Sequence, residues 1–533
     1  MRKIRIPILL SVCIAGIFIA SCRKFSANPS WDTQILAPLI TANLSINDLV
    51  TDSLVHSNVD SSITLVYNGS LYNLNTDSLV KIPDTSLTYG YVVSGVVNPG
   101  DNIVTPTGTW TKYGSGSAQL TKATIQSGYL VVTVSSYVPG VIDFNYSIPS
   151  ATLGGNPFTA SLKANPAIGS NPTTTIDSFP LNNYQLDLTG QYHNAYNSIY
   201  TTVSAIFDPS NPSINIGGAD GVGVNVTFHN VVPYYAQGYF GTITKSFTQT
   251  SPFSIFKKIS GGSLSLQSLN VSLTLQNDIG VDAKVTIDSI TSINPRNGKP
   301  VALTDGSLIN NAILINRATQ TYNPANPVIP SIQTFNLTPS NSNILQWIDN
   351  LPSSVGYTVN VTTDPIGNVS GSHDFAFFGY GIESNLNISM PLSLIATNLT
   401  LADTLPINLA STAQAQNIKS GTFTLYADNG FAFSAGLQIY LLGTNMKVTD
   451  SLMSSPQTIQ PGILNGLGEV TSVTTSTVKI PLSETQTKTL LGTKNIIIMA
   501  RFNMGSLPST YRKIYNYNTL GIKLVGNFDY LVN

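Results

Sequence analysis

The segment LTLQNDIGVDAKVTI, which runs from Leu273 to Ile287, decides the fold class. Apolar and polar residues alternate along it on both sides of Asn277. A period of two is typical of a β-strand with one buried face, because successive side chains point to opposite sides of a strand. We therefore predict two strands joined at an Asn-centred turn.

A second segment, LYADNGFAFSAGLQI from Leu425 to Ile439, can be laid over the first. Asn429 then meets Asn277, Ala435 meets Ala283, and the apolar positions coincide throughout. Two interpretations stay open at this level. Either any two β-hairpins share such a pattern, or the chain contains duplicated β-sandwich units.

The same alternation predicts strands elsewhere, at 222–228 and 357–361. The run Asn-Ile-Ile-Ile-Met at 495–499 predicts a strand buried on both faces. Helical spacing predicts two short helices, at 342–351 and 483–491. The predicted fold class is therefore all-β, with several β-sandwich-like units in an elongated arrangement and a few short helices.

Length and turn-rich stretches predict the domain organisation. A chain of 533 residues suggests about three domains, and turn residues cluster near 148–182 and 318–342. The resulting prediction is a signal peptide at 1–21 followed by an N-terminal, a middle and a C-terminal β domain, at 22–160, 161–335 and 336–533.

The low charge content limits the classes of partner that the chain can be expected to bind. Charged residues make up 10% of it and the formal net charge is −1, whereas an average soluble domain carries about 25% charged residues. Ser, Thr and Asn occupy polar positions that helical proteins fill with Glu and Lys, which is a β composition. A nearly neutral chain predicts no nucleic acid partner, and no cofactor motif is present.

The first residues carry an export signal. Met1–Arg5 is short and basic, and Ile6–Ala20 is apolar, as in a secretory signal peptide. The sequence Ile19-Ala20-Ser21-Cys22 at its end resembles the lipobox of bacterial lipoproteins. This resemblance implies cleavage before Cys22, lipidation of the Cys22 thiol, and a membrane partner held through two or three acyl chains.

The implied location is the outer membrane, as for an envelope lipoprotein of the Bacteroidota type. Arg23 and Lys24 follow Cys22, where surface-exported members of this class carry acidic residues. The periplasmic face and the cell surface therefore both stay open. Cys13 leaves with the signal peptide, so no disulfide is predicted in the mature chain.

Five short motifs resemble the Asp-Ser/Thr-apolar acceptor of Bacteroidota-type O-glycosylation. The resemblance implies modification at one or more of Ser53, Ser78, Ser289, Thr404 and Ser451. The strand–Asn turn–strand pattern also resembles the sandwich domains of late-embryogenesis-abundant proteins and, more faintly, elongated tubular lipid-binding proteins. Those likenesses cover about fifteen residues per copy and imply a β-sandwich or an apolar lipid groove.

Motifs for chemistry are scarce, so no catalytic residue is assigned. The four histidines lack a second ligand at metal-binding spacing, which predicts no local metal site. Ser372-His373-Asp374 contains the residue types of a triad, but neighbours in a strand point to opposite faces and cannot align as one. The glycine cluster at 217–223 lacks the Lys-Ser/Thr ending of a phosphate loop and predicts a turn.

Three functions stay in competition. The leading hypothesis is a non-enzymatic structural or binding lipoprotein whose partner is a glycan, a peptide or another envelope protein. The second is an envelope lipid carrier, which predicts an apolar groove or cavity. The third is a polysaccharide-acting enzyme with a distributed Asp/Glu pair about 5 to 10 Å apart in a cleft.

Overall fold

The computed structural model describes residues 31–45, 54–75, 82–114, 116–217, 220–256, 259–296, 298–321, 323–407, 418–504 and 509–532. The all-β prediction is confirmed, since these residues form antiparallel sheets and two short helices. The helices are α1 (Ile344–Asp349) and α2 (Glu484–Leu491), both inside the predicted segments. Cys22, Ser53 and Ser78 lie outside the described residues.

The chain forms two compact units, each assembled from separate stretches of sequence. Unit 1 takes in the described residues up to Leu65, those of 254–268, and those from Pro391 onward; unit 2 takes in 66–253 and 269–390. The predicted boundaries at 160/161 and 335/336 divide the chain into consecutive pieces instead. They fall inside two strands, at Asn156–Ala164 and Ser331–Leu337.

Unit 1 contains two main sheets. One has the order β1 (Trp31–Ser45), β37 (Thr519–Val532), β28 (Ile418–Asn429) and β34 (Thr474–Leu482). The other has the order β16 (Ile259–Leu266), β27 (Ser393–Pro406), β35 (Asn495–Asn503), β29 (Ser434–Leu442) and β30 (Val448–Ser451), with β31 (Gln457–Ile459) on β29 and β36 (Arg512–Lys513) on β27. Short pairs join β2 (Val55–Ser57) to the start of β3 (Ile63–Asn75), and β32 (Ile463–Leu464) to β33 (Val470–Ser472).

Unit 2 contains a sandwich of two sheets around α1. One sheet, which we call the groove sheet, has the order β3, β26 (Gly381–Pro391), β17 (Asn270–Asn277) and β23 (Ser331–Leu337). The other has the order β15 (Thr244–Pro252), β24 (Ser354–Thr363), β18 (Ala283–Ile293) and β19 (Val301–Ala302), with β20 (Ala312–Ile315) on β18. Tyr72 of β3 stacks on Phe247 of β15 across the core, with ring centroids 5.7 Å apart. A short pair, β21 (Thr319–Gln320) and β22 (Val328–Ile329), completes this part.

Unit 2 also contains a ten-stranded sheet built on two long strands. Its order is β25 (Asp374–Phe377), β14 (Gly221–Tyr239), β7 (Gln119–Ser136), β11 (Gln185–Asp187), β8 (Ile142–Leu153), β12 (Ser198–Phe207) and β6 (Asn102–Lys112). The remaining strands are β10 (Thr173–Pro180) on β7, β4 (Thr85–Val92) on β14 and β9 (Asn156–Ala164) on β8. Tyr89 of β4 contacts Tyr146 of β8, with ring centroids 6.4 Å apart, although these strands are not neighbours in the sheet, so the sheet curves around a shared core. A short pair, β5 (Gly95–Val97) and β13 (Ile214–Ile216), also belongs to this unit.

The succession from β17 to β26 repeats from β28 to β37. Each copy begins with a central strand, a strand of the facing sheet and two short strands paired with that strand. A separate pair of short strands, an edge strand and a helix follow, and the copy ends with a second strand of the facing sheet, a short strand and a second central strand. Registers agree as well, because Asn277 pairs with Ile382 and Ser331 where Asn429 pairs with Leu520 and Thr474. This agreement supports the duplicated-sandwich interpretation of the repeat.

The two turn asparagines make the same hydrogen bonds. The Asn277 amide donates to the carbonyls of Val281 and Asn316, at 2.7 and 2.9 Å, and its Oδ1 accepts the Ile279 N–H at 3.1 Å. Asn429 donates and accepts in the same pattern, at 2.8, 2.9 and 2.9 Å, and both side chains are fully buried.

The turns do not form hairpins, however. The strand before each asparagine and the strand after it belong to different sheets, so each turn carries the chain from one layer of a sandwich to the other. Alternation is the same in a hairpin and in such a crossing, which is why it could not separate them. The strand at 495–499 is also corrected: Ile496 and Ile498 are fully buried, whereas Ile497 and Met499 are only half-buried on the outer face.

Candidate ligand-binding groove

The outer face of the groove sheet carries uncharged polar side chains at adjoining positions of three strands. Ser272 of β17 pairs with Asn387 of β26 on one side and with Asn336 of β23 on the other. Two residues before Ser272 in β17, Asn270 pairs with Ser389 of β26. Directly paired residues share a face of the sheet, so these amides and hydroxyls form one continuous surface.

Local sequence explains why these side chains point outward. Val271, Leu273 and Leu275 of β17 are fully buried, because their apolar surface packs into the sandwich. The period of two then places Asn270 and Ser272 on the opposite face. Sequence reasoning missed this surface, although the signal was available: the outward positions hold Asn, Ser and Thr in place of Lys and Glu.

A groove of about 490 Å³ runs across this face within unit 2. Ligand sites in proteins commonly measure about 300 to 1,000 Å³. Its lining comes from all four strands: Val66, Asn68, Asn270, Val271, Ser272, Asn336, Leu337, Thr338, Asn387, Ile388 and Ser389. Strands in a sheet lie about 4.8 Å apart, so the four strands give the groove a length of about 14 Å.

The groove is uncharged and its polar groups are available. None of its lining residues is charged, and Glu383, a carboxylate on the same face, accepts a hydrogen bond from Asn385 at 3.1 Å. Asn387 makes one long contact, 3.5 Å, with the Thr274 hydroxyl. Within the described part of the chain, the side chains of Asn68, Asn270, Ser272 and Ser389 have no hydrogen-bond partner.

An apolar cavity also exists, inside the ten-stranded sheet. It measures about 30 Å³ and is lined almost entirely by apolar side chains, among them Leu87, Ile125, Ile148 and Phe228. A water molecule needs about this much room, and an acyl chain needs about ten times more. The cavity therefore does not favour the lipid-carrier hypothesis, which stays a prediction.

A buried acidic cluster lies at the start of β25. Asp374 is fully buried and accepts hydrogen bonds from the Arg317 guanidinium, at 2.6 Å, and from the Phe240 N–H, at 3.2 Å. Asp364, which is 1% exposed, lies beside Asp374. Asp282 completes the cluster, with its carboxylate 3.7 Å from the Arg317 Nε.

Burial, followed by the neighbouring Asp374 carboxylate, raises the pKa of Asp364 to about 8. A carboxylic acid beside a carboxylate has the residue types that the glycosidase hypothesis requires. Neither side chain reaches solvent, however, so a polysaccharide could not contact them in this conformation. The enzyme hypothesis stays a prediction.

The predicted glycosylation sites that the structure describes differ in accessibility. Thr404 is exposed on β27, whereas Ser289 is half-buried at a bulge of β18. The Ser451 hydroxyl donates to the Met453 carbonyl at 3.1 Å. Thr404 and Ser451 belong to unit 1 and Ser289 to unit 2.

The other residues singled out in the sequence lie apart from the groove. His373 is exposed and its Nδ1 lies 3.1 Å from the Ser370 carbonyl oxygen, whereas Asp374 is fully buried at the start of β25. Ser372 and His373 precede that strand, so the strand alternation expected from the sequence does not apply to them. Gly217 lies in a turn capped by Asp220, just before β14. Among the described residues, no group of three or more His, Cys, Asp or Glu side chains could hold a metal ion. No helix in the described ranges is long and apolar enough to span a membrane.

Comparisons with known proteins give weak likenesses only. No protein-family model and no curated protein matches the chain. It is similar to the crystal structure of a candidate secreted protein from Parabacteroides distasonis ATCC 8503, at 10% identity and a TM-score of 0.32, over 92% of this chain and 99% of that one. It is also similar to a structure from the Gx strain of infectious bursal disease virus, at 10% identity and a TM-score of 0.12, over 92% and 87%. At these TM-scores neither likeness supports a functional argument.

Proposed function

We propose that this chain is a non-catalytic, lipid-anchored binding protein of the cell envelope, and that the groove of unit 2 binds a neutral glycan. The observation that carries the proposal is the groove itself, which four strands line with uncharged amides and hydroxyls. The export signal and the lipobox at Cys22 support the location at the outer membrane.

The chemistry of the lining favours a polyhydroxylated ligand. Amide and hydroxyl groups both donate and accept hydrogen bonds, as sugar hydroxyls do. Groups that face water in the free protein can exchange those hydrogen bonds for bonds to a ligand at little net cost. A groove about 14 Å long suits an oligosaccharide segment better than a single sugar.

The charge of the face argues against anionic ligands. No lysine or arginine lines the groove, and Glu383 lies on the same face. A phosphate or a uronate would lose water of hydration without gaining a cationic partner. The ligand is therefore neutral, and its binding depends little on salt.

Isothermal titration calorimetry tests the proposal on the chain from Arg23 to Asn533. The probes are neutral gluco-, manno-, xylo- and chito-oligosaccharides, with oligogalacturonate as the anionic comparison. We expect at least one neutral oligosaccharide to bind, and Asn387→Ala to weaken that binding about tenfold, because about two hydrogen bonds are lost.

Ser272→Trp should abolish binding because the indole would occupy the centre of the groove. The matched control is Thr88→Trp, which places the same side chain on an exposed position of β4 away from the groove. If Ser272→Trp binds as well as Thr88→Trp, or if only the anionic glycan binds, the assignment of the groove is wrong.

A further inference from the structure

The corner between β24 and β25 holds an Asp-Pro peptide bond in an unusual backbone conformation. Asp364 follows directly after β24 and has a φ of 44°, in the left-handed region. Residues other than glycine reach that region only at an energetic cost. The residue before a proline also prefers an extended conformation, so the bond between Asp364 and Pro365 is strained.

The carbonyl of this bond is polarised by two donors. The Asp364 carbonyl oxygen accepts a hydrogen bond from the Thr242 hydroxyl at 2.8 Å and one from the Gly367 N–H at 2.9 Å. Two donors on one carbonyl oxygen stabilise the negative charge that develops there when a nucleophile attacks the carbon.

The side chain of Asp364 carries the carboxyl group nearest in sequence to that carbonyl and is buried with it. It is 1% exposed, and its Oδ2 has no hydrogen-bond partner among the described residues. Asp374, Asp282 and Arg317 face the Asp364 carboxyl. Arg317 is the cation among them, and its guanidinium contacts both the Asp374 and the Asp282 carboxylates. Burial and the neighbouring carboxylates raise the pKa of Asp364, so the carboxyl keeps its proton near neutral pH.

We propose that the folded protein cleaves its own Asp364–Pro365 bond. This inference is independent of the ligand in the groove. The site is a corner of unit 2 that joins, in one residue, a strained backbone, a polarised carbonyl and a buried carboxyl whose Oδ2 has no hydrogen-bond partner among the described residues.

The step balances without a co-reactant other than water. A side-chain oxygen of Asp364 attacks the carbonyl carbon of the same residue and forms a five-membered cyclic anhydride. The C–N bond to Pro365 breaks, and the carboxyl proton passes to the proline nitrogen, which leaves as a secondary amine. Water then opens the anhydride and restores the side-chain carboxyl together with a new C-terminal carboxyl at Asp364.

The chain contains an internal comparison, the Asp208–Pro209 bond. The Asp208 carboxylate is bonded to the Lys163 ammonium and accepts the Ser210 N–H at 2.8 Å. The hydrogen bond from Lys163 and those from Ser210 lower the pKa of Asp208, so this carboxyl lacks the proton that the leaving nitrogen needs. The folded environment should therefore protect the Asp208–Pro209 bond from cleavage and promote cleavage of the Asp364–Pro365 bond.

Denaturing intact-mass spectrometry of the purified mature protein, incubated at 37 °C between pH 5 and 9, tests the proposal. Denaturing conditions are needed because β24 and β26 are each paired with strands on both sides and would hold the fragments together. We expect a fragment from Pro365 to Asn533, formed at least about tenfold faster than cleavage at Asp208–Pro209. Its rate should be constant up to about pH 7 and fall above pH 8, as the Asp364 carboxyl ionises.

Two variants separate this reaction from contaminating proteases. Pro365→Ala replaces the tertiary amide with a poorer leaving group, and Thr242→Val removes one donor to the carbonyl while keeping the side-chain shape. Both should slow the reaction by about tenfold or more, with circular dichroism showing the native fold. Absence of the fragment, equal cleavage at both Asp-Pro bonds, or an unchanged rate in both variants would overturn the proposal.

Discussion

Replacing Asn277 with alanine tests the view that a buried amide holds the crossing between the two layers of the unit 2 sandwich. The substitution removes three hydrogen bonds at a side chain with no exposed surface. It leaves the Ile279 N–H and the Val281 carbonyl buried without that partner, whereas Asn316 is exposed and its carbonyl can bond to water. The structure therefore predicts a large loss of stability.

The magnitude follows from the groups that lose their partner. A buried donor left unsatisfied costs about 1 to 3 kcal/mol, and the Val281 carbonyl costs about 1 kcal/mol because it retains a second lone pair. The sum is about 2 to 4 kcal/mol. This lies at or above the upper part of the range for most single substitutions, about 0.5 to 3 kcal/mol.

The assay is chemical denaturation followed by hydrogen–deuterium exchange, which assigns each transition to a unit. Asn277→Ala should lower the free energy of unfolding of unit 2. Asn429→Ala should lower that of unit 1 by a similar amount, because its hydrogen bonds are the same. The control is Asn385→Ala, whose half-buried amide lies on the outer face of the groove sheet.

The reasoning fails if Asn277→Ala costs less than about 1 kcal/mol, or no more than Asn385→Ala. It also fails if the losses of unfolding free energy in Asn277→Ala and Asn429→Ala differ severalfold, because the same set of hydrogen bonds would then stabilise the two units by very different amounts. Asn277→Asp would add detail, since it keeps the acceptor for Ile279 and loses both donors.

Three further outcomes are expected. The Asp364 pKa is raised from 3.8 to about 8 in the folded chain, so the contribution of Asp364 to stability is complete below about pH 4 and is lost as pH rises through 8. Between pH 4 and 9 the melting temperature of Asp364→Asn should therefore decline less than that of the wild type, and at pH 9 the variant should melt at the higher temperature. A melting temperature that lies below the wild type by the same amount at every pH would contradict the assignment. Cys22→Ser should abolish incorporation of labelled palmitate and release the protein from the outer-membrane fraction, whereas an unchanged distribution would exclude the lipid anchor. Peptide mapping of protein from its native host should find any O-glycan at exposed Thr404 before half-buried Ser289, and a glycan at Ser289 alone would contradict the ranking by exposure.

Features that depend on neighbouring residues could be predicted from the sequence. The alternation at 222–228 lies within β14, and the helix predicted at 483–491 is present and begins at a capping box formed by Ser483 and Gln486. The asparagine repeat was visible in the sequence, although it left hairpins and duplicated units both open. The hydrogen bonds to Asn316 and Gln460 span 39 and 31 residues, whereas the other two bonds of each asparagine reach residues only two and four positions ahead. Such interactions are set by short-range backbone geometry and are therefore readable in the sequence.

The tertiary structure alone decided which strands become neighbours. Ser272, Asn336 and Asn387 are far apart in sequence and form one groove because β17 pairs with β23 on one side and β26 on the other. Asp364 likewise meets Asp374, Arg317 and Thr242 only after three separate segments pack together. Strand alternation specifies the face that each side chain occupies, but the partner of a strand depends on long-range burial of apolar surface, which no local pattern encodes.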